Sequence, residues 1–313
     1  MSRSEPEEQR AASRETWESA AGPWGRLAGR VREWGMPVSR AMIASLGLAP
    51  GERVLELAAG PGDTGFMAAD LIRQADGKGF AGSHGGGQSI SPNVAGGRTG
   101  PVPPGTLISS DGAEAMIDVA RQRARESGIA NVKFRQLELE WIDLPTASID
   151  AVVCRWAIML TVDPAAAARE IRRVLVSGGR AALAVWDVAE KNPWATIPGA
   201  VMVELGHLER PDPHGPGMFA LAGDGCLSEL LHDAGFTDVE ISAVALERRC
   251  FAIDQFVEET LELSPVFGSV YRQLSAEDQA EVAARIAIGV QPFAAADGSL
   301  SLPGSTLVAR AIA

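Results

Sequence analysis

A chain of 313 residues, 46% of them hydrophobic, is long enough to bury one large α/β core with additions, or a core and a smaller lobe, and is not a disordered polymer. Its 28 basic and 40 acidic side chains leave a net charge of -12, a field that repels phosphate backbones and anionic membranes, so no nucleic-acid partner is expected. Cys154, Cys226 and Cys250 lack the CxxC or Cys/His spacing of a disulfide framework or zinc site, so no metal is expected and a reducing cytoplasm fits best.

Met1 to Arg14 is polar, and no apolar run approaches the roughly 20 residues of a membrane span. Glu15 to Leu46 carries apolar residues at helical spacing, interrupted at Gly22-Pro23 and Gly35-Met36-Pro37; two or three short helices are expected, forming a cap over 1–48. Val54 to Leu57 reads as a strand, followed by a glycine loop and a helix over Thr64 to Gln74. Residues 77–105, crowded with Gly, Ser and Pro, read as a flexible insertion. Thr106 to Ser110 is a strand, Ala113 to Ser127 a helix, Val132 to Glu138 and Ile149 to Trp156 strands, and Pro164 to Leu175 a helix stopped by Ser177-Gly178-Gly179 before the strand Arg180 to Trp186. This alternation predicts a parallel sheet covered on both faces, with the core domain over 49–190. The pattern loosens from Asn192 to Gly217. Beyond it come a helix over Gly225 to Ala234, a strand over Val239 to Leu246, helices over Ile253 to Leu263 and Ala276 to Val290, and a last strand over Ser305 to Ile312. Residues 191–313 are expected to supply substrate-side helices and the last strands.

Ligands of an open α/β sheet bind outside the carboxyl ends of its strands. At the first such end, Ala58-Ala59-Gly60-Pro61-Gly62 lets the backbone bend tightly and approach a ligand with the amides of a helix start facing it. Glu56, just before the loop, suits a cationic ligand and would repel a phosphate. At the second, Asp111 has two oxygens suited to the vicinal hydroxyls of a ribose, or serves as a helix N-cap. At the third, Glu138 can accept from an adenine amino group while the Leu139 amide donates to a ring nitrogen; the alternative is a solvated strand-end acid. Together these acids suggest an adenosine with a positive, unphosphorylated tail, as in S-adenosylmethionine.

These segments resemble class I S-adenosylmethionine-dependent methyltransferases, especially the branch containing ubiquinone and menaquinone biosynthesis enzymes and many small-molecule methyltransferases. The resemblance runs from about Gly51 to Trp186 outside the insertion. Val54 to Gly62 is similar to the family's glycine motif, with Ala58 where glycine is common. Ser110-Asp111-Gly112-Ala113-Glu114-Ala115-Met116 is similar to its ribose motif, which implies that Met116 packs on adenine, a residue equally suited to plain core packing. Glu138-Leu139-Glu140 stands where Asp-Ala-Glu is usual. Asp150 to Trp156 is similar to the fourth strand, which implies that Arg155 and Trp156 line the site. The implied fold is a seven-stranded, mostly parallel Rossmann-like sheet with helices on both faces and added cap helices. The implied reaction is in-line displacement of the methyl group onto an O, N or C nucleophile of a small acceptor, releasing S-adenosylhomocysteine.

Seven tryptophans against one tyrosine point to core packing or to a pocket for an apolar or aromatic acceptor, with Trp17, Trp24, Trp156 and Trp186 as candidate linings. His207 and His214, in the irregular stretch after the fifth strand, are candidate bases. A nicotinamide-dependent oxidoreductase would use Gly60, Gly62 and Asp111 similarly but leaves Glu56 and Glu138 unexplained; a non-catalytic binding protein would lack an acceptor cavity.

Overall fold

The computed structural model describes residues 6–73, 105–212 and 215–313. All of the expected insertion except Gly105 therefore lies outside the described residues. Two helices, α1 (Pro6–Arg26) and α2 (Ala28–Leu46), precede β1 (Arg53–Leu57), α3 (Asp63–Ile72), β2 (Thr106–Asp111), α4 (Glu114–Glu126), β3 (Val132–Gln136), β4 (Ile149–Arg155), α5 (Pro164–Val174) and β5 (Leu175–Trp186). Then come α6 (Pro193–Glu204), α7 (Cys226–Asp233), β6 (Thr237–Cys250), α8 (Ile253–Leu263), α9 (Pro265–Tyr271), α10 (Ala276–Val290) and β7 (Leu300–Ile312).

The seven strands form one sheet in the order β3-β2-β1-β4-β5-β7-β6. The first five are parallel, and β7 inserts antiparallel between β5 and β6. Val54, Leu55, Leu57, Val152 and Cys154 are wholly buried, as strands covered on both faces require. The direction of sheet growth reverses at β1, which pairs with β2 on one side and β4 on the other. A crevice opens at such a switch point, outside the strand ends.

The cap differs from the expectation of short, interrupted helices. Pro23 and Pro37 both lie inside continuous helices. Pro23 sits in the last turn of α1 and has no N–H to offer the Ser19 carbonyl. Pro37 is interior to α2, at a cost of about 3 kcal/mol. That helix lays Val31, Trp34, Val38 and Met42 fully or almost fully out of water, and at about 1.5–3 kcal/mol each this burial outweighs the proline.

The stretch expected to be irregular holds α6, which begins with Pro193 at its first turn. Its sequence is apolar on every side and contains Pro198, so it has no helical stripe to read. Buried Asn192 fixes its start, with its side-chain amide donating to the carbonyl oxygens of Asp187, Val188 and Ser305 and its Oδ1 accepting from Ser305 N. Helix α9 was also unexpected, and β6 and β7 extend further than their apolar patterns. Ser177-Gly178-Gly179 lies within β5 as an irregularity: pairing with β4 jumps from Ile149–Leu175 to Ala151–Arg180, and Gly178 has φ +75°.

The main core fills both faces of the sheet. A second buried cluster, including Met202, Phe256, Phe267, Val282 and Ile286, joins α6 and α8–α10 to the outer ends of β6 and β7. Among the described residues no helix is long and apolar enough to cross a membrane.

Candidate functional site

The loop after β1 turns through three left-handed residues, Ala58 (φ +48°), Gly60 (φ +51°) and Gly62 (φ +88°). The conformation at Ala58 explains why a glycine is favoured there: a Cβ in this region costs about 1 kcal/mol. A Cβ on Gly60 would meet nothing within 4 Å, whereas one on Gly62 would strike the Phe66 ring. Gly62 caps α3, and Arg123 braces this turn, pairing with Asp63 at 2.8 Å and donating to the Pro61 carbonyl.

Glu56 lines the resulting cleft, but its oxygens already accept from Gly65 N at 2.6 Å and Ser109 Oγ at 2.8 Å. Burial pushes its carboxyl up to about 7, against the opposing pull of those two hydrogen bonds. Asp111 ties the loop to the next unit: Oδ2 accepts from Gly60 N and Oδ1 from Ala113 N, both at 3.0 Å. Burial raises its pKa as well. Each oxygen keeps acceptor capacity for a hydroxyl, so Asp111 is at once a loop tie and a candidate ligand contact. Gly112 lies close enough to Glu138 that a Cβ would stand 3.2 Å from Oε2.

These groups line a single cleft together with Ala58, Gly60, Gly112, Met116, Glu138, Leu139, Arg155 and Trp156. Gly62, by contrast, is buried behind the turn and is not among the lining residues. Met116 packs with Ala20, Ala21 and Ala113 beneath Trp17 and Trp24, so it serves a small core and the cleft wall together.

The roof is α1, whose polar face sequence reasoning left as a charged start. Arg10 pairs with Glu140, and Arg14 with Glu138. The Glu18 carboxylate accepts from Glu114 N at 2.7 Å and Ala115 N at 3.0 Å, capping α4. Residues 10, 14 and 18 recur every four positions and so share one helix face; that spacing was the available signal, but a charged stripe ordinarily reads as solvated. Trp17 and Trp24 line the cleft beside them, and Trp24 Nε1 donates to the Leu263 carbonyl of α8 at 3.1 Å.

At the end of β4, Arg155 donates to Ser39 Oγ at 2.9 Å, and its guanidinium lies 4.6 Å from the centroid of the Trp156 ring. Burial lowers its pKa. Helix α2 approaches here through Gly35, where a Cβ would lie 2.7 Å from Arg155 Nη1. Trp156 (φ +59°) stacks on Trp186 with centroids 4.3 Å apart, and Trp34 and Trp194 complete a four-ring cluster. Trp186, expected at the pocket, is buried within that cluster rather than lining the cleft. His207 follows α6 and does not line the cleft either, and His214 lies outside the described residues. Neighbouring Cys154 is buried, with its thiol pushed up to about 12 by desolvation, and is no nucleophile. No group of three or more potential metal ligands occurs among the described residues.

Residues 85–183 match the family described as "Methyltransferase domain". That part of the chain is similar to a methyltransferase domain. The match covers β2 to most of β5 and leaves β1 and the glycine loop before it. The uncharacterized methyltransferase YcgJ of Bacillus subtilis is 38% identical over 73 residues, 23% of this chain and 29% of YcgJ. A ubiquinone/menaquinone biosynthesis C-methyltransferase, UbiE of Cellvibrio japonicus, is 26% identical over 142 residues, 45% of either chain. The chain thus aligns with less than half the length of either relative. The crystal structure of YcgJ superposes with a TM-score of 0.53 at 17% identity, covering 88% of this chain and 97% of that one. At that identity the superposition shows the shared α/β fold alone.

Proposed function

We propose that the protein transfers a methyl group from S-adenosylmethionine to an O, N or C nucleophile of a small apolar or aromatic molecule. The observation that carries this reading is convergence: the ends of β1, β2 and β4 and the segment after β3 deliver Gly60, Asp111, Arg155 and Glu138 to one cleft roofed by Trp17 and Trp24. Glu56, Asp111, Glu138 and Glu140 line it beside Arg10, Arg14 and Arg155; the surplus of acids supports an adenosine with a cationic tail over a dinucleotide's pyrophosphate. The open space at Gly60 and the free lone pairs of Asp111 fit the adenosine, and Glu138 with Leu139 would read its base.

When bound, S-adenosylmethionine supplies an electrophilic methyl carbon on a sulfonium sulfur. The chain's own part is to exclude water and hold the acceptor, through Trp17, Trp24, Trp156, Leu160 and Val162. Among the described residues no histidine lines the cleft, which supports catalysis through alignment and desolvation. The similarity to a quinone-biosynthesis C-methyltransferase supports an aromatic acceptor. The net charge of -12 supports a small molecule over nucleic acid, and three free cysteines support a cytoplasmic setting.

Calorimetry with S-adenosylhomocysteine and NADH, followed by a screen of small acceptors with labelled methyl donor, tests the reading. Saturable binding of the former with no binding of NADH is expected. The absence of S-adenosylhomocysteine binding to the folded protein would overturn it.

A further inference from the structure

Three arginines line the cleft, Arg10, Arg14 and Arg155. The first two are matched by Glu140 and Glu138. Arg155 has no carboxylate within ion-pair distance among the described residues; its side chain donates to the neutral Ser39 hydroxyl, itself 2.9 Å from Thr64 Oγ1. The two acids whose charge reaches it, Asp63 and Glu56, are committed elsewhere: Asp63 to Arg123, and Glu56 to Gly65 N and Ser109 Oγ. A guanidinium has five N–H donors in a planar fork suited to a carboxylate, and a desolvated cation without a counter-charge is costly. Arg155 is therefore an unmatched fork at the wall of a cleft that Trp17, Trp24 and Trp156 also line.

We infer that the acceptor is an aromatic acid, its carboxylate received by Arg155 and its apolar body held among Trp17, Trp24, Trp156 and Leu160. This rests on the methyl-transfer reading and narrows its substrate class. Arg155 is then a specificity-determining residue: it favours acids over isosteric neutral molecules. The same carboxylate chemistry is also present in the amino-acid end of the methyl donor, so the test separates the two sources.

The probes are 2-naphthoate and 2-naphthamide, titrated into the full chain saturated with S-adenosylhomocysteine. The acid should bind about tenfold or more tighter than the amide, as a charge-assisted contact gives. Arg155→Gln should bring the ratio to within about twofold, and Arg155→Lys should restore part of it. Equal affinities for acid and amide in the unaltered protein overturn the inference without any variant, as does failure of both to bind. In a second arm, S-adenosylhomocysteine is compared with 5′-methylthioadenosine, which lacks the carboxylate. The substitution should leave the ratio of those two affinities unchanged. Selective loss of S-adenosylhomocysteine binding would assign Arg155 to the donor's carboxylate and overturn the acceptor assignment. Binding of S-adenosylhomocysteine to the unaltered protein keeps the methyl-transfer reading standing whichever way the naphthoate result falls.

Discussion

The Gly65 amide donates to the Glu56 carboxylate at 2.6 Å, across a gap with no room for a side chain, because a Cβ on Gly65 would overlap the carboxyl group. One residue at the end of β1 and one in the first turn of α3 therefore set the spacing of the glycine loop between them. Gly65→Ala is expected to cost about 1–3 kcal/mol, the usual range for overpacking a filled site and disturbing a buried hydrogen bond. Affinity for S-adenosylhomocysteine should fall with it. Urea unfolding and calorimetry on the same variant check both, and an unchanged melt would show that the gap is not rigid.

The raised carboxyl of Glu56 makes stability depend on pH in a defined direction. From its ordinary 4.5 to about 7, the folded chain keeps a proton on this group that the unfolded chain has released. Raising the pH through that window withdraws up to about 3 kcal/mol of stability, and below it the contribution is constant. Glu56→Gln removes the titration. Unfolding midpoints for both proteins between pH 4.5 and 7.5 should converge or cross as pH rises; a constant offset would refute the assignment.

The roof helix is held by groups of unequal worth. The Arg14–Glu138 pair is part-exposed and should contribute about 0.2–1 kcal/mol, whereas Glu18 satisfies two amides at the head of α4 and should be worth about 1 kcal/mol. Glu18→Ala is therefore expected to speed hydrogen exchange in both α1 and the first turn of α4, more than Arg14→Ala does. Exchange confined to α1 would mean that the cap is not formed in solution.

Two aromatic or titratable candidates divide cleanly by position. Trp186→Ala should destabilise by about 3–5 kcal/mol, as loss of a buried aromatic ring does. His207→Ala should leave kcat and KM for any acceptor found within about twofold, since the side chain does not line the cleft. A large kcat loss in the second variant, with stability intact, would reinstate a histidine base.

The β1-to-β5 half was legible because each strand and helix keeps its own period and ends near a glycine or a charged residue: Gly60 lies in the loop after β1, and Asp111 and Arg155 close β2 and β4. What failed was non-local. Pro37 looked like a stop because nothing local reveals the sheet surface that α2 covers. The all-round apolarity of α6 hid a helix whose start is fixed by Asn192 reaching Ser305, over a hundred residues away. Within the site, the pairing of Arg10 and Arg14 with Glu140 and Glu138 joins segments about 120–130 residues apart, which no spacing rule connects. Glu56 lines the cleft beside the glycine loop, but its two internal partners come from α3 and β2 and were invisible in the sequence around it.

The near-parallel rings of Trp156 and Trp186, 4.3 Å apart at 14°, also have an optical consequence. Transition dipoles this close couple, so the folded chain should carry an exciton couplet in its circular dichroism, while 76%-exposed Trp141 gives red-shifted emission separately. Because Trp156 also lines the cleft, occupation of the pocket should alter the couplet and leave the Trp141 emission as an internal reference.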